Sequence, residues 1–186
     1  MQTSQLNSSH RLQVLPSEGS VSACNAEWTR EHKHWLAWNP GRSLLVSIRG
    51  YQRSDGRNAP YHAVLRCGYV LRHHFWSAVS GADIPLNSKI GGWPLIPHRN
   101  GIVIHPASDI GPNCLILQQV TIESGQGGVP TLWGHGHVGA GTKILGAVHI
   151  GHYAVIGANA SVVEDVIAST TVVGIPARLV SGESQR

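Results

Sequence analysis

One aliphatic position returns every six residues through the second half of the chain, and few folds tolerate that period. The series runs Ile84, Ile90, Ile96, then Ile104, Ile110, Ile116, Ile122, then Leu132, Val138, Ile144, Ile150, Ile156, Val162. The step from Ile96 to Ile104 carries two extra residues, and that from Ile122 to Leu132 carries four. An amphipathic helix repeats about every 3.6 residues and a half-buried strand every two, so neither yields sixes. Six-residue repeats are expected of a parallel β-helix. Each unit is a short strand plus a turn, three units make a coil, and the inward side chain stacks on its counterparts above and below. The next residue is often Gly (Gly91, Gly111, Gly139, Gly151, Gly157), with Asn113 and Asn159 further on, as corners with positive φ would favour.

Composition agrees with such a fold. The 186 residues, 41% apolar, suffice for one globular domain plus an appendage. Only 13% are charged, and 22 glycines suit tight coils better than a helical bundle. A net charge of +4 favours small anionic partners, but the basic residues are too scattered for nucleic acid. Cys24, Cys67 and Cys114 have no CxxC spacing and read as reduced thiols. The first residues lack the apolar core of a signal peptide, and no apolar run is long enough to span a bilayer. The expected location is therefore cytoplasmic.

Residues 1–26, rich in Ser, Asn and Gln, read as a disordered tail. Residues 27–80 read as an α-helical N-terminal region. It opens with Trp28, Trp35 and Trp38, a packing plug rather than a ligand cage, in a segment that ends at the turn Asn39-Pro40-Gly41. Helices are expected over Ser43–Gln52 and Tyr61–Ser80. Val64, Leu65, Tyr69, Leu71, Phe75, Trp76 and Val79 stripe the second, and Pro60 and Gly81 punctuate it. His73 and His74 near its end suit the helix dipole when protonated. Residues 81–180 form the β-helix, interrupted by the glycine-rich stretch Glu123–Thr131, which is expected to project; residues 181–186 are a tail.

A smooth β-helix has no cleft of its own, so a site has to come from the phase breaks or from a neighbouring subunit. His98 lies in the first break, where an imidazole of near-neutral pKa is suited to take a proton from a hydroxyl. A lone His in such a place is more often structural. In chain order, however, GADIP, HRNGIVIHPASDIG, LQQVTI, GHVGAGTKILGAVHIG, VIGANASVV and GIPARLV resemble the serine acetyltransferase family of hexapeptide acyltransferases. The resemblance covers Gly81 to Val180. It implies a mainly β fold, a left-handed parallel β-helix with a short α-helical N-terminal region. It also implies a homotrimer that binds acetyl-CoA in a groove between subunits, with no metal. It makes His98 the general base of an H-x-x-G-I-V motif and Asp83 the partner that orients the imidazole. It points to Gly139, Ala140, Gly141 and Thr142 for the pantetheine arm, and to Lys143 and Arg178 for the CoA phosphates.

Two departures bear on the acceptor. Serine-specific members carry an Asp directly before the catalytic His, and an Arg-His pair in the loop after the phase break. Here Pro97 precedes His98, and ESGQGGVPTLW contains neither Arg nor His. A serine zwitterion would leave buried charge unpaired. The expected acceptor is therefore a sugar hydroxyl of an exopolysaccharide or its precursor, as in the exopolysaccharide and colanic-acid-type O-acetyltransferase branch. The alternative is a serine O-acetyltransferase of cysteine synthesis, which an Arg or Asp reaching the pocket from elsewhere would restore. A lesser alternative is a metal-binding trimer without acyltransferase activity, suggested by His105, His135, His137, His149 and His152. By register His137 and His149 fall on different faces, and no triad converges within one subunit.

Overall fold

A computed structural model describes residues 38–56, 60–92 and 94–180, together with Cys24. The expected tails, apart from Cys24, and the residues Trp28 and Trp35 lie outside the described residues. Trp38 is described and is not a buried plug: it is 75% exposed, with its ring edge-on to Trp76.

Helix α1 spans Pro40–Ser54 and α2 spans Pro60–Ser80. Asn39-Pro40 therefore opens a helix instead of closing the Trp segment. Proline's fixed φ and missing N–H are tolerated at the first helical position, and the Asn39 side chain caps the backbone N–H of Arg42 at 3.2 Å. Gly81, at φ +64°, ends α2 in the left-handed conformation that glycine favours.

The strands are β1 (Lys89–Ile90), β2 (Val103–Ile104), β3 (Asp109–Ile110), β4 (Leu115–Ile116), β5 (Thr121–Glu123), β6 (Thr131–Leu132) and β7 (His137–Val138). They continue as β8 (Lys143–Leu145), β9 (His149–Ile150), β10 (Val155–Ile156), β11 (Ser161–Val162), β12 (Thr171–Val173) and β13 (Arg178–Val180). They stack into three walls of a parallel β-helix. The first wall is β1-β3-β6-β9, the second β2-β5-β8-β11, and the third β4-β7-β10-β12 with β13 added antiparallel. All thirteen repeat positions take the inward place; Ile110, Ile116, Ile122, Ile144 and Ile150 have no exposure at all, and only Ile96 is partly open. This aliphatic column is the core, and burying such side chains supplies most of the stability of the stack.

Asn113 and Asn159 take positive φ, at 59° and 57°, but the glycines after the repeat position do not. Gly111 and Gly139 are small for a different reason. A Cβ on Gly111 would lie 2.5 Å from the Gly134 nitrogen, and one on Gly139 would lie 2.6 Å from that of Ala158. Adjacent coils approach too closely there for any side chain.

The helices close the upper end of the stack. Arg49 donates to the Gly91 carbonyl at 2.6 Å, and Gln52 donates to the carbonyls of Leu86 and Ser88. His73 is buried and donates through Nε2 to the Ile84 carbonyl at 2.8 Å, which ties α2 to the first coil. The apolar stripe of α2 is split. Trp76 packs on the core, while Val64, Leu71 and Phe75 are 73%, 71% and 56% exposed. The Glu123–Thr131 stretch makes a tight hairpin closed by Gly125 and Gly128, and it leans on Gly146 and Ala147 of the next coil.

Candidate active site

The edge between the third and second walls gathers most of the residues expected at the site. Descending one coil at a time, about 4.8 Å per step, it carries His98–Gly101, then Gln118–Gln119, then Gly139–Thr142, then Ala158–Asn159. Backbone bonds tie these turns together: Gln119 N–H to Asn100 C=O at 2.9 Å, Gly141 N–H to Gln118 C=O at 2.9 Å, and Asn159 N–H to Ala140 C=O at 2.7 Å.

His98 stands at the top of this edge because the two-residue insertion lets the chain swing out before turning at Gly101, which has φ +71° and donates to the Gly81 carbonyl. The imidazole is exposed and opens onto a groove of about 470 Å³. Pro40 at the start of α1 and Val79-Ser80 at the end of α2 form one side of that groove; Pro97, Arg99, Asn100 and Gln118 line the rest. The expected partner Asp83 lies on the second wall in the coil above, bridged to Val103, with its side chain exposed. Among the described residues no hydrogen bond or ion pair joins Asp83 to His98.

The proposed cofactor residues divide. Gly139, Gly141 and Thr142 each donate their N–H within the stack, which leaves the Ala140 N–H and the Gly141 C=O without a hydrogen bond among the described residues. Thr142 points inward: its hydroxyl is fully buried and donates to the Gly157 carbonyl at 3.1 Å, away from any groove. Lys143 reaches up the edge, its Nζ 3.0 Å from the Gln119 carbonyl and 2.9 Å from the Thr121 hydroxyl, and it has no carboxylate partner among the described residues. Arg178 is at the lower end and pairs with Glu164 at 3.1 Å.

Sequence reasoning missed Arg99 and Gln118. Arg99 donates through Nη2 to the Asn39 side chain at 2.5 Å, while its Nε is buried without an acceptor. Burial, and then the charge of Arg42, hold its pKa below the usual guanidinium value. Gln118 presents a buried Oε1 that accepts no hydrogen bond. The HRNG and LQQ strings contained both residues, but only the fold brings them to one groove.

The histidines noted for metal binding meet at most in one stacked pair among the described residues. His135 and His137 stack at 5.4 Å, His152 lies against Trp133, and His105 is 3.8 Å from Glu123. Burial, and then His135, push the His137 imidazole below its ordinary pKa. Among the described residues no three metal-ligating side chains converge.

A parallel β-helix of hexapeptide repeats, with a histidine at a phase break above a column of glycine-rich turns, defines a class, and comparison with known proteins narrows it. The chain is 32% identical over 166 residues to a serine acetyltransferase of Mycobacterium tuberculosis, covering 87% of this chain and 61% of that protein. It is 32% identical over 151 residues to the Escherichia coli K12 serine acetyltransferase, covering 79% and 46%. Among solved structures, soybean serine acetyltransferase complexed with serine matches with a TM-score of 0.62 at 32% identity, covering 76% of this chain and 56% of that one. A serine acetyltransferase in complex with CoA matches with a TM-score of 0.65 at 30% identity, covering 82% and 60%. No family model matches the chain. Over its hexapeptide repeats the chain is thus similar to serine acetyltransferases, and it spans less than two thirds of the length of the relatives it matches. These relatives lend no support to the expected kinship with the exopolysaccharide branch.

Proposed function

We propose that the chain transfers an acetyl group from acetyl-CoA to the hydroxyl of L-serine, with His98 as general base. The observation that carries this is His98 in an open groove at the head of the turn column. Lower on that edge, the Ala140 N–H and the Gly141 C=O are free to hold an amide-bearing arm. In this reading His98 takes the acceptor's hydroxyl proton, the oxygen attacks the thioester carbonyl, and the C–S bond breaks. The leaving thiolate recovers the proton from the imidazolium. Asp83 is assigned the negative charge that steadies the imidazolium. Lys143 meets CoA phosphate more readily than Arg178, whose charge Glu164 already partners.

Serine is preferred over a sugar because the relatives are serine acetyltransferases and one is solved with serine. Pro97 and the cation-free hairpin at 123–131 are the specific observation favouring an uncharged acceptor, so a sugar hydroxyl stays as the second reading.

Trimer formation is part of the proposal. The outward positions of the third wall run Leu95, Leu115, His137, Val155, Thr171 and Val180, whereas the second wall shows Asp83, Val103, Thr121, Lys143 and Ser161. The more apolar wall is the one suited to meet its own kind.

The test is thiol release from acetyl-CoA with L-serine and with a sugar panel, using the wild type, His98→Gln and Asp83→Asn. Turnover with serine is expected. It should fall by roughly 10²–10⁴-fold in His98→Gln, the usual worth of a positioned base, and by less in Asp83→Asn. Turnover confined to sugars would move the acceptor, and thiol release that does not depend on His98 would remove the mechanism.

A further inference from the structure

Arg99 borders both the groove at His98 and the adjoining pocket at the start of α1, and among the described residues it has no counter-charge. Arg99 lies across the start of α1, against Gly41, so closely that no Cβ would fit there. Among the described residues its guanidinium makes one hydrogen bond, to the neutral side-chain oxygen of Asn39, which caps α1 and so fixes it. None of its nitrogens meets a carboxylate among the described residues, and its pKa is lowered first by burial. A guanidinium that is positioned, partly desolvated and uncompensated beside a reacting group is suited to an oxyanion, above all a planar carboxylate. Gln118, on the same groove, carries the complementary deficiency, a buried oxygen that accepts nothing. A ligand presenting a carboxylate on one side and an N–H or O–H donor on the other answers both.

We propose that Arg99 binds the carboxylate of the acceptor and makes the groove selective for hydroxyl compounds that bear one, with Gln118 accepting a donor from the same molecule. This rests on the acetyl-transfer reading above. It supplies, from the residue next to His98, the cation that the 123–131 hairpin lacks. L-Serine and a uronic acid share the required chemistry, so the test includes both.

The experiment compares kcat/KM for L-serine against L-serinamide, and for glucuronate against glucose, in the wild type and Arg99→Gln. For at least one pair the carboxylate member is expected to lose roughly 100-fold, chiefly in KM, while its uncharged counterpart changes less than about threefold. Arg99→Lys keeps the charge but not the fork, so it should lose roughly tenfold on the same member only; it carries the comparison if Arg99→Gln does not fold. Equal losses on both members would mean that Arg99 merely braces Asn39 and α1, and would overturn the assignment. So would no loss on either. The pattern on glucuronate without serine turnover would sink the serine reading and leave Arg99 standing. Serine turnover indifferent to Arg99, with no such pattern on glucuronate, would do the reverse.

Discussion

Cys114 sits on the inner edge of the stack, fully buried, with its thiol donating to the Trp133 carbonyl at 3.3 Å. Burial disfavours the thiolate and pushes the group up to about 11 from an ordinary value of 9.0. Cys24 and Cys67 are exposed. At pH 8 a thiol reagent should therefore modify two cysteines in the native protein and the third only after unfolding. The sign of the pH effect follows. The folded state keeps a proton that the unfolded state releases, so this contribution is whole below about pH 9 and is lost as pH rises towards 11. The loss amounts to about 2–3 kcal/mol. Chemical denaturation across that range should show it in the wild type and less of it in Cys114→Ala. The site was legible at this scale only where a motif carried it. His98 and the Gly139–Gly141 turn stood out because their strings match a family, whereas Arg99 reads as an ordinary surface charge until α1 is seen lying beneath it.

At the scale of elements, a tight corner and a helix interior set opposite demands on glycine. Gly111→Ala forces a methyl group against the backbone of the next coil. A loss of roughly 1–3 kcal/mol is expected, as for other overpacked sites. Gly68, in the middle of α2, has open space around it, so Gly68→Ala should stabilise by roughly 0.5–1 kcal/mol. Thermal melts of the two variants would settle the contrast, and equal shifts would mean that corner spacing does not explain these glycines. Helix ends and strand positions were readable because Pro60, Gly81 and the six-residue column are local signals. The direction of the α2 stripe was not, since Val64, Leu71 and Phe75 repeat like core residues and only the docked position of the helix shows them facing out.

For the whole molecule, three walls of like shape differ mainly in what they show to the outside. If the third wall is the self-association face, Val155→Glu should leave the protomer folded, because that side chain is 38% exposed. It should convert trimers to monomers by placing a charge in an apolar contact. Sedimentation velocity distinguishes the outcomes, and an unchanged trimer would move the interface to another wall. Periodicity fixes how coils stack within a chain but carries nothing about which wall meets a neighbour; that depends on outward positions the repeat leaves free.

The antiparallel turn of β13 has a further consequence. A stack of parallel coils is an unfinished sheet at each end, and an end that displays a parallel strand is a template on which another chain can continue. β13 doubles back over β12 and offers any arriving coil a strand of the wrong polarity, fringed by the ion pair of Arg178 and Glu164. α1 and α2 occupy the other end through Arg49, Gln52 and His73. Along this wall, a repeating geometry that invites continued growth therefore meets a strand that breaks the pattern of continuation.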